Sequence, residues 1–524
     1  MKVSLLPQLI SALLVSIPMS VLSQSASLWD GLSPGPYKVG FKAEWKLDYT
    51  RTWGQSESVK EDYAAKPYSR PVRLATWYPA AVGSTIKQNE FKDYVFINTT
   101  DRTCQRAQSI ILKNDLGSEN KGLQGLFLGN KKAFENLLNT PVPSYKNASP
   151  IKKRRFPLLI YSLGQNDYTL ENTIIFEYLA SHGFIVVTVP HLGMNPRKDY
   201  LLIDDALSYD TQVRDLEFAL GEMLRLPNVD PTRIGALGMS MGSVYSLLLS
   251  GRNSNIRALA GLDGSVMGGL ESFAYKYQGL SYYDSSAVKV PVLQIFRETH
   301  HDLSVMRSLR YSDRYLLEIK KLAHADFTSS PLYTLQTAMV LPDTFLLSQR
   351  TPEYAATQCK NICEYVRIFF DATLNANEKD RKLMDAWRTD TSLNGLSSTF
   401  IPGMQCLNEE EFAKVVIMQG SDSAIEILKF FQLRYPDVVL LRQRKLNRMA
   451  YEYVYKAELR DATELFKFNT GAFPKTPAVF DSLGDVYEMQ GENGLALLNY
   501  EKALSLDPEN PALKKSVDRL KQKQ

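Results

Sequence analysis

Gly235-Ala236-Leu237-Gly238-Met239-Ser240-Met241-Gly242-Ser243 is the stretch that decides the fold. It contains Gly-x-Ser-x-Gly. Arg233–Leu237 before it reads as a short buried strand, and Val244–Leu249 after it as the start of an apolar helix. A serine on a sharp strand-to-helix turn is held in strained backbone geometry with its hydroxyl exposed. The flanking glycines are needed where larger side chains would collide as the chain doubles back. Ser240 is therefore the candidate nucleophile.

The pattern around the turn is that of an α/β fold. Pro157–Tyr161 and Phe184–Val189 read as buried strands, with Thr173–Ser181 and Asp204–Arg225 as helices. Strands Ile256–Leu262, Val290–Phe296 and Tyr315–Leu322 follow the turn, then a helix over Ala355–Leu374. Short apolar strands alternating with helices predict a mostly parallel sheet covered on both faces, with reacting groups gathered at the strands' carboxyl ends. Upstream, Pro34–Lys46 reads as an edge strand and Val72–Tyr78 as a second strand. Residues 83–153 break the pattern as an insertion. Within it Leu123–Leu138 has helical apolar spacing, suited either to packing on the domain or to capping a pocket.

The carboxyl-end rule sorts the titratable residues. Asp263 directly follows Ile256–Leu262, and His324 follows Tyr315–Leu322. The chain order Ser240, Asp263, His324 is that of triads in this fold: the imidazole accepts the serine proton, and the carboxylate orients it. Glu298 and Asp302, on the loop after Val290–Phe296 with His300 and His301, are the alternative acids. His182 precedes its strand and is expected to be structural, whereas His191 ends that strand at the reactive edge and could line a pocket. The oxyanion hole needs two backbone N–H groups, expected from Met241 and from Gln165 in the loop Ser162-Leu163-Gly164-Gln165-Asn166.

These residues carry a resemblance. Gly35-Pro36-Tyr37-x-Val39-Gly40, Leu179-Ala180-Ser181-His182-Gly183-Phe184-Ile185-Val186, the turn Gly238–Gly242, Asp263 and His324-Ala325-Asp326-Phe327-Thr328 resemble the platelet-activating-factor acetylhydrolases. That family is a branch of the α/β-hydrolases related to dienelactone hydrolases. The resemblance spans roughly residues 33–372 and implies Asp263 as the acid. The family's His-Gly-Leu in the oxyanion loop is here Leu163-Gly164-Gln165, a departure at the second donor. The insertion at 83–153 leaves the phospholipid substrate open.

The remainder of the chain reads differently. Asn375–Ser398 is polar and is expected, over 376–407, to be a linker after a hydrolase domain at 24–375. Phe480, Leu483, Gly484, Tyr487, Ala496, Tyr500, Ala503 and Pro508 fit the tetratricopeptide pattern. Leu446, Met449, Ala450, Tyr453, Ala462, Phe466 and Pro474 repeat it 34 residues earlier. Clear repeats are thus expected at 443–476 and 477–510, a degraded one over Glu411–Pro436, and a capping helix over Ala512–Lys523. Such an array either binds a protein or peptide or stabilises the hydrolase.

Composition narrows the partners. Of 524 residues, 61 are Lys or Arg and 57 Asp or Glu, a near balance of +4. With no basic run longer than Lys152-Lys153-Arg154-Arg155, nucleic acid is not an expected partner. Lys2, the apolar run Leu5–Leu22 and Val21-x-Ser23 read as a signal peptide over 1–23, with a retained anchor as the rival. The protein is expected to be exported, without a later membrane span. Cys359 and Cys363, four apart on one helical face, are expected to be buried side chains rather than a disulfide. Neither a metal site nor a cofactor is implied. The expected activity is hydrolysis of carboxylic esters, lipid or other small ones, by a serine esterase mechanism through acyl-Ser240. The alternative is an inactive hydrolase scaffold whose repeats bind a partner.

Overall fold

The computed structural model describes residues 28–523 except 55–67, 118–121, 166–167, 194–205, 268–276, 299–301, 336–350, 390–395, 404–408 and 435–440. The expected signal peptide, His300 and His301 lie outside the described residues. Contacts divide the chain into two units, Met1–Met404 and Gln405–Gln524.

The first unit is built on one sheet. Its strands are β1 (Lys38–Trp53), β2 (Tyr68–Ala81), β3 (Gln88–Glu90), β4 (Pro141–Lys146), β5 (Ser149–Pro150), β6 (Phe156–Ser162), β7 (Ile185–Thr188), β8 (Val229–Met239), β9 (Ile256–Leu262), β10 (Val292–Arg297), β11 (Arg314–Ile319) and β12 (Leu396–Ile401). The spatial order is β12-β11-β10-β9-β8-β6-β7-β2-β1-β4-β3, with β5 paired to β2. From β11 to β7 every pairing is parallel; β2 joins β7 antiparallel and β12 joins β11 antiparallel. The helices are α1 (Lys92–Val95), α2 (Arg102–Asp115), α3 (Lys131–Leu138), α4 (Thr173–Ser181), α5 (Ala206–Leu224), α6 (Gly242–Arg252), α7 (Ser304–Ser308), α8 (Ser330–Leu335), α9 (Pro352–Leu374) and α10 (Glu378–Ala386).

Strand alternation explains the two cores. Leu159 and Tyr161 of β6, Val186 of β7 and Leu237 of β8 point into one core with α4 and α9. Their neighbours Leu158, Ile160, Val187 and Ala236 point into the other with α5 and α6. Successive side chains of a strand face opposite ways, so strands apolar throughout must be covered on both sides. The architecture is the α/β-hydrolase fold, followed by an all-α unit.

Several expectations change. The stretch 376–407, expected as a linker, carries α10 and the edge strand β12, which lies antiparallel along all of β11. Met384, Trp387 and Leu396 are buried in the main core, and Arg367 of α9 pairs with Asp380 of α10 through two 3.0 Å bonds. Polar composition hid this because an edge strand needs only one apolar face and α10 exposes most of its surface. The strand expected at the sheet edge, β1, is internal, between β2 and β4, while β3 is the edge. The insertion thus supplies strands to the sheet. The helix expected over Leu123–Leu138 is broken into a turn at Gly125–Phe127 and α3. Leu128 and Gly129 take φ of 49° and 82°, and the Asn130 side chain caps α3 at the Ala133 N–H. Leu123, Phe127, Phe134 and Leu137 are buried in the domain core, so this segment packs on the domain. Cys359 and Cys363 are buried and unbridged.

The second unit holds α11 (Glu409–Gln419), α12 (Ser421–Arg434), α13 (Gln443–Tyr455), α14 (Leu459–Ala472), α15 (Pro477–Met489), α16 (Asn493–Leu506) and α17 (Pro511–Lys521). Helices α13 and α15 begin 34 residues apart, 443 to 477, as do α14 and α16, 459 to 493. Ala450, Ala462, Phe466, Leu483, Ala496, Tyr500 and Ala503 share one core, as the repeating pattern requires. Among the described residues no helix is long and apolar enough to cross a membrane.

Candidate active site

Strand β8 ends at Met239 and α6 begins at Gly242, so Ser240 lies on the turn between them. Its φ is 52°, in the left-handed region that a non-glycine residue occupies only when its surroundings impose it. The imposition is visible. The Ser240 N–H donates to Leu262 O at 2.9 Å, and its C=O accepts from Ser243 N–H, Ser265 N–H and Ser243 Oγ at 3.1, 3.0 and 2.7 Å. A Cβ at Gly242 would stand 2.0 Å from Ser162 O, so the first turn of α6 abuts the end of β6.

Asp263 follows β9, the neighbour of β8, and also has a left-handed φ of 39°. Its N–H donates to Ile295 O at 2.7 Å, which ties the turn to β10. The carboxylate Oδ1 accepts from Arg297 N–H at 3.2 Å; Oδ2 lies 3.0 Å from Arg297 Nε and 2.5 Å from His324 Nδ1. A carboxylate beside a guanidinium is an acceptor, so Nδ1 carries the proton and Nε2 is the basic nitrogen. The Asp263 side chain is 7 % exposed while that of His324 is 41 % exposed, so the acid is shielded and the imidazole reachable.

His324 opens a short helical turn, His324–Phe327, closed by Asp326 Oδ2 accepting from Ala323 N–H at 2.7 Å. Of the alternative acids, Glu298 Oε1 accepts from Lys321 N–H at 2.9 Å, supporting the chain just before His324. Asp302 Oδ1 accepts from Ser304 N–H at the start of α7. Of these three acids, Asp263 is the one whose carboxylate accepts the His324 Nδ1 proton at hydrogen-bond distance.

The other sequence-selected residues take these places. Met241 is buried at the N-terminus of α6, and Gln165 is half-buried in the loop after β6. Residue pairing of Ser162 with Gly238 brings that loop out beside the serine turn. His182 caps α4, its Nδ1 2.8 Å from Tyr178 O, a structural role as expected. His191 is 1 % exposed, its ring edge-on to Tyr245 at 5.2 Å, so it is core rather than pocket lining. Burial, aided by the Arg70 charge, lowers its pKa to about 3 and keeps it neutral.

Arg297 and a buried polar network around Glu171 were missed by sequence reasoning. Glu171 is fully buried; its Oε1 accepts from Tyr161 OH at 2.7 Å and from Gly164 N–H at 3.2 Å. Asn172 Nδ2 donates to Tyr161 OH at 2.7 Å. No local pattern marks these residues, since their partners are distant in the chain or meet only across a fold.

No family model and no curated protein matches the chain. Among solved structures, it is similar to a ferulic acid esterase from Streptomyces cinnamoneus, with 19 % identity and a TM-score of 0.48. The alignment covers 71 % of this chain and 98 % of that one.

Proposed function

We propose that the protein is a serine esterase that hydrolyses carboxylic esters through an acyl-Ser240 intermediate. The observation that carries this reading is a serine held at φ 52° beside the strand whose next residue, Asp263, bonds His324 Nδ1. Ser240 Oγ attacks the ester carbonyl carbon while His324 Nε2 takes its proton, and the backbone N–H groups of Met241 and Gln165 receive the developing oxyanion. Collapse of the tetrahedral adduct expels the alcohol, which takes the proton back from His324. Water then repeats the sequence on the acyl-enzyme, releasing the acid and restoring Ser240. Asp263 stabilises the imidazolium formed in each step, and Arg297 holds that carboxylate in place.

The resemblance to platelet-activating-factor acetylhydrolases extends the proposal to lipid or other small esters, and the signal-like segment Lys2 to Ser23 extends it to an exported protein. The 34-residue period of the helical unit supports tetratricopeptide hairpins able to take a protein or peptide. A fluorophosphonate probe tests the core of the reading: it should label the wild-type chain and not Ser240→Ala. A folded wild-type chain that resists the probe and hydrolyses no ester across a series of acyl lengths would overturn it.

A further inference from the structure

We propose that Glu171 is a positioning residue for acyl transfer, one that sets the oxyanion loop and ties it to the loop carrying His324. The inference rests on Ser240 acting as nucleophile with a backbone oxyanion hole. The loop in question, Ser162–Gln165, has Gly164 directly before the expected donor. Glycine has the widest backbone freedom, so an unrestrained Gly164 would let the next amide swing. The Glu171 carboxylate narrows that freedom by accepting the Gly164 N–H at 3.2 Å, which anchors the peptide plane leading into Gly164.

The carboxylate is itself held. Tyr161, at the end of β6, donates to the same Oε1 at 2.7 Å and accepts from Asn172 Nδ2 at 2.7 Å. Strand, loop and the start of α4 are thereby joined by one chain of oriented hydrogen bonds. Burying a carboxylate costs several kcal/mol unless its acceptor capacity is used, so a fully buried Glu171 at this place implies a demanding geometric task.

The same residue reaches the other half of the site through its backbone. Ser329 N–H donates to Glu171 O at 2.7 Å, and Ile174 N–H donates to Ser329 Oγ at 3.2 Å. Asn172 Nδ2 lies 3.4 Å from Phe327 O, the last residue of the turn that His324 opens. Residues 171–174 therefore brace both the loop after β6, which leaves the sheet beside the serine turn, and the turn whose first residue, His324, bonds Asp263. Acyl transfer needs donor and base held together to within a fraction of an ångström, since a misplacement of about 1 Å can cost about 100-fold in rate.

The test uses the full-length chain, a short-chain 4-nitrophenyl ester and a boronic acid that forms a tetrahedral adduct on the serine. Glu171→Gln keeps an acceptor oxygen for Gly164 and Tyr161 and should stay within about threefold of wild-type kcat. Glu171→Leu removes the acceptor and should lose about 100-fold in kcat, with KM moved only a few-fold and boronate affinity falling in parallel. Circular dichroism checks folding. Should the leucine variant not fold, Glu171→Asp withdraws the carboxylate by one methylene and should still lose about tenfold or more in kcat. Folded Leu or Asp variants with wild-type kcat would overturn the inference. So would a kcat loss with unchanged boronate affinity, or a Gln variant as impaired as Leu. A wild-type chain that the fluorophosphonate leaves unlabelled removes the parent reading, and this inference with it. A labelled wild type with an unaffected Glu171→Leu removes this inference alone.

Discussion

Truncation on either side of residues 376–403 separates the two descriptions of that stretch. A chain ending at Asn375 loses α10 and β12; a chain ending at Gly403 keeps both and loses only the second unit. Without the stretch the core loses Met384, Trp387 and Leu396, at roughly 1.5–3 kcal/mol for each buried side chain, or about 5–9 kcal/mol gross. It also loses the Asp380 carboxylate on Arg367 and the guanidinium of Arg388, which lies 4.4 Å from the Phe400 ring centroid and bonds Tyr315 OH. The deleted residues no longer have to be ordered, which offsets part of this through conformational entropy. A net loss of about 4 kcal/mol is the reasonable scale, a large fraction of the roughly 5–15 kcal/mol that holds a domain folded. At about 2–4 °C per kcal/mol, the Asn375 chain should melt roughly 10 °C below the Gly403 chain. Circular dichroism melts and kcat/KM on a small activated ester measure both properties. The Gly403 chain should match the full-length chain in kcat/KM within about threefold, because each helical hairpin contacts mainly its neighbours. Equal melting of the two truncated chains within about 2 °C would refute the structural role given to α10 and β12. A folded but inactive Gly403 chain would show that the helical unit shapes the catalytic centre.

Three further outcomes are expected. Ser240→Ala and His324→Ala should each cost several orders of magnitude in kcat with little added effect when combined, and Asp263→Asn about 10⁴-fold, whereas Glu298→Gln and Asp302→Asn should retain most activity; the reverse pattern would refute the assignment of the acid. Gly242→Ala brings a methyl group to 2.0 Å from the Ser162 carbonyl oxygen, so the turn must shift, costing about 1–3 kcal/mol in denaturant unfolding and about 100-fold in kcat. Burial raises the Glu177 pKa from 4.5 to about 7, so the native state binds its proton more tightly than the unfolded chain does; relative to Glu177→Gln, the wild type should lose on the order of 3 kcal/mol of stability as pH rises from about 5 to 8, and parallel stability curves would count against it.

Much of the site was legible because its signals are local or ordered along the chain. Gly-x-Ser-x-Gly between an apolar strand and an apolar helix dictates a tight turn whatever the rest of the chain does, and Ser240 is found there at φ 52°. The rule that reacting groups sit at carboxyl ends of parallel strands put His324 and a short set of acids, Asp263, Glu298 and Asp302, at the reactive edge, and Asp263 and His324 meet there in a hydrogen bond 61 positions apart. The helical repeats were equally plain, since a 34-residue period is a property of sequence alone.

What the sequence could not supply was partner identity across the fold. Asp263, Glu298 and Asp302 are all acids on the reactive edge, and only tertiary structure gives Glu298 to Lys321, Asp302 to Ser304 and Asp263 to His324. Glu171 carries no local mark, because its role depends on Tyr161 and Gly164 folding back to one buried oxygen. The segment 396–401 has too few apolar residues to announce a strand, yet β11 offers it a row of unpaired backbone groups that its own backbone can satisfy. Periodicity, composition and chain order therefore determine which elements form and which residue types are available at the site. Pairing between backbone edges, and the competition of several acids for a few donors, is decided when distant segments come together.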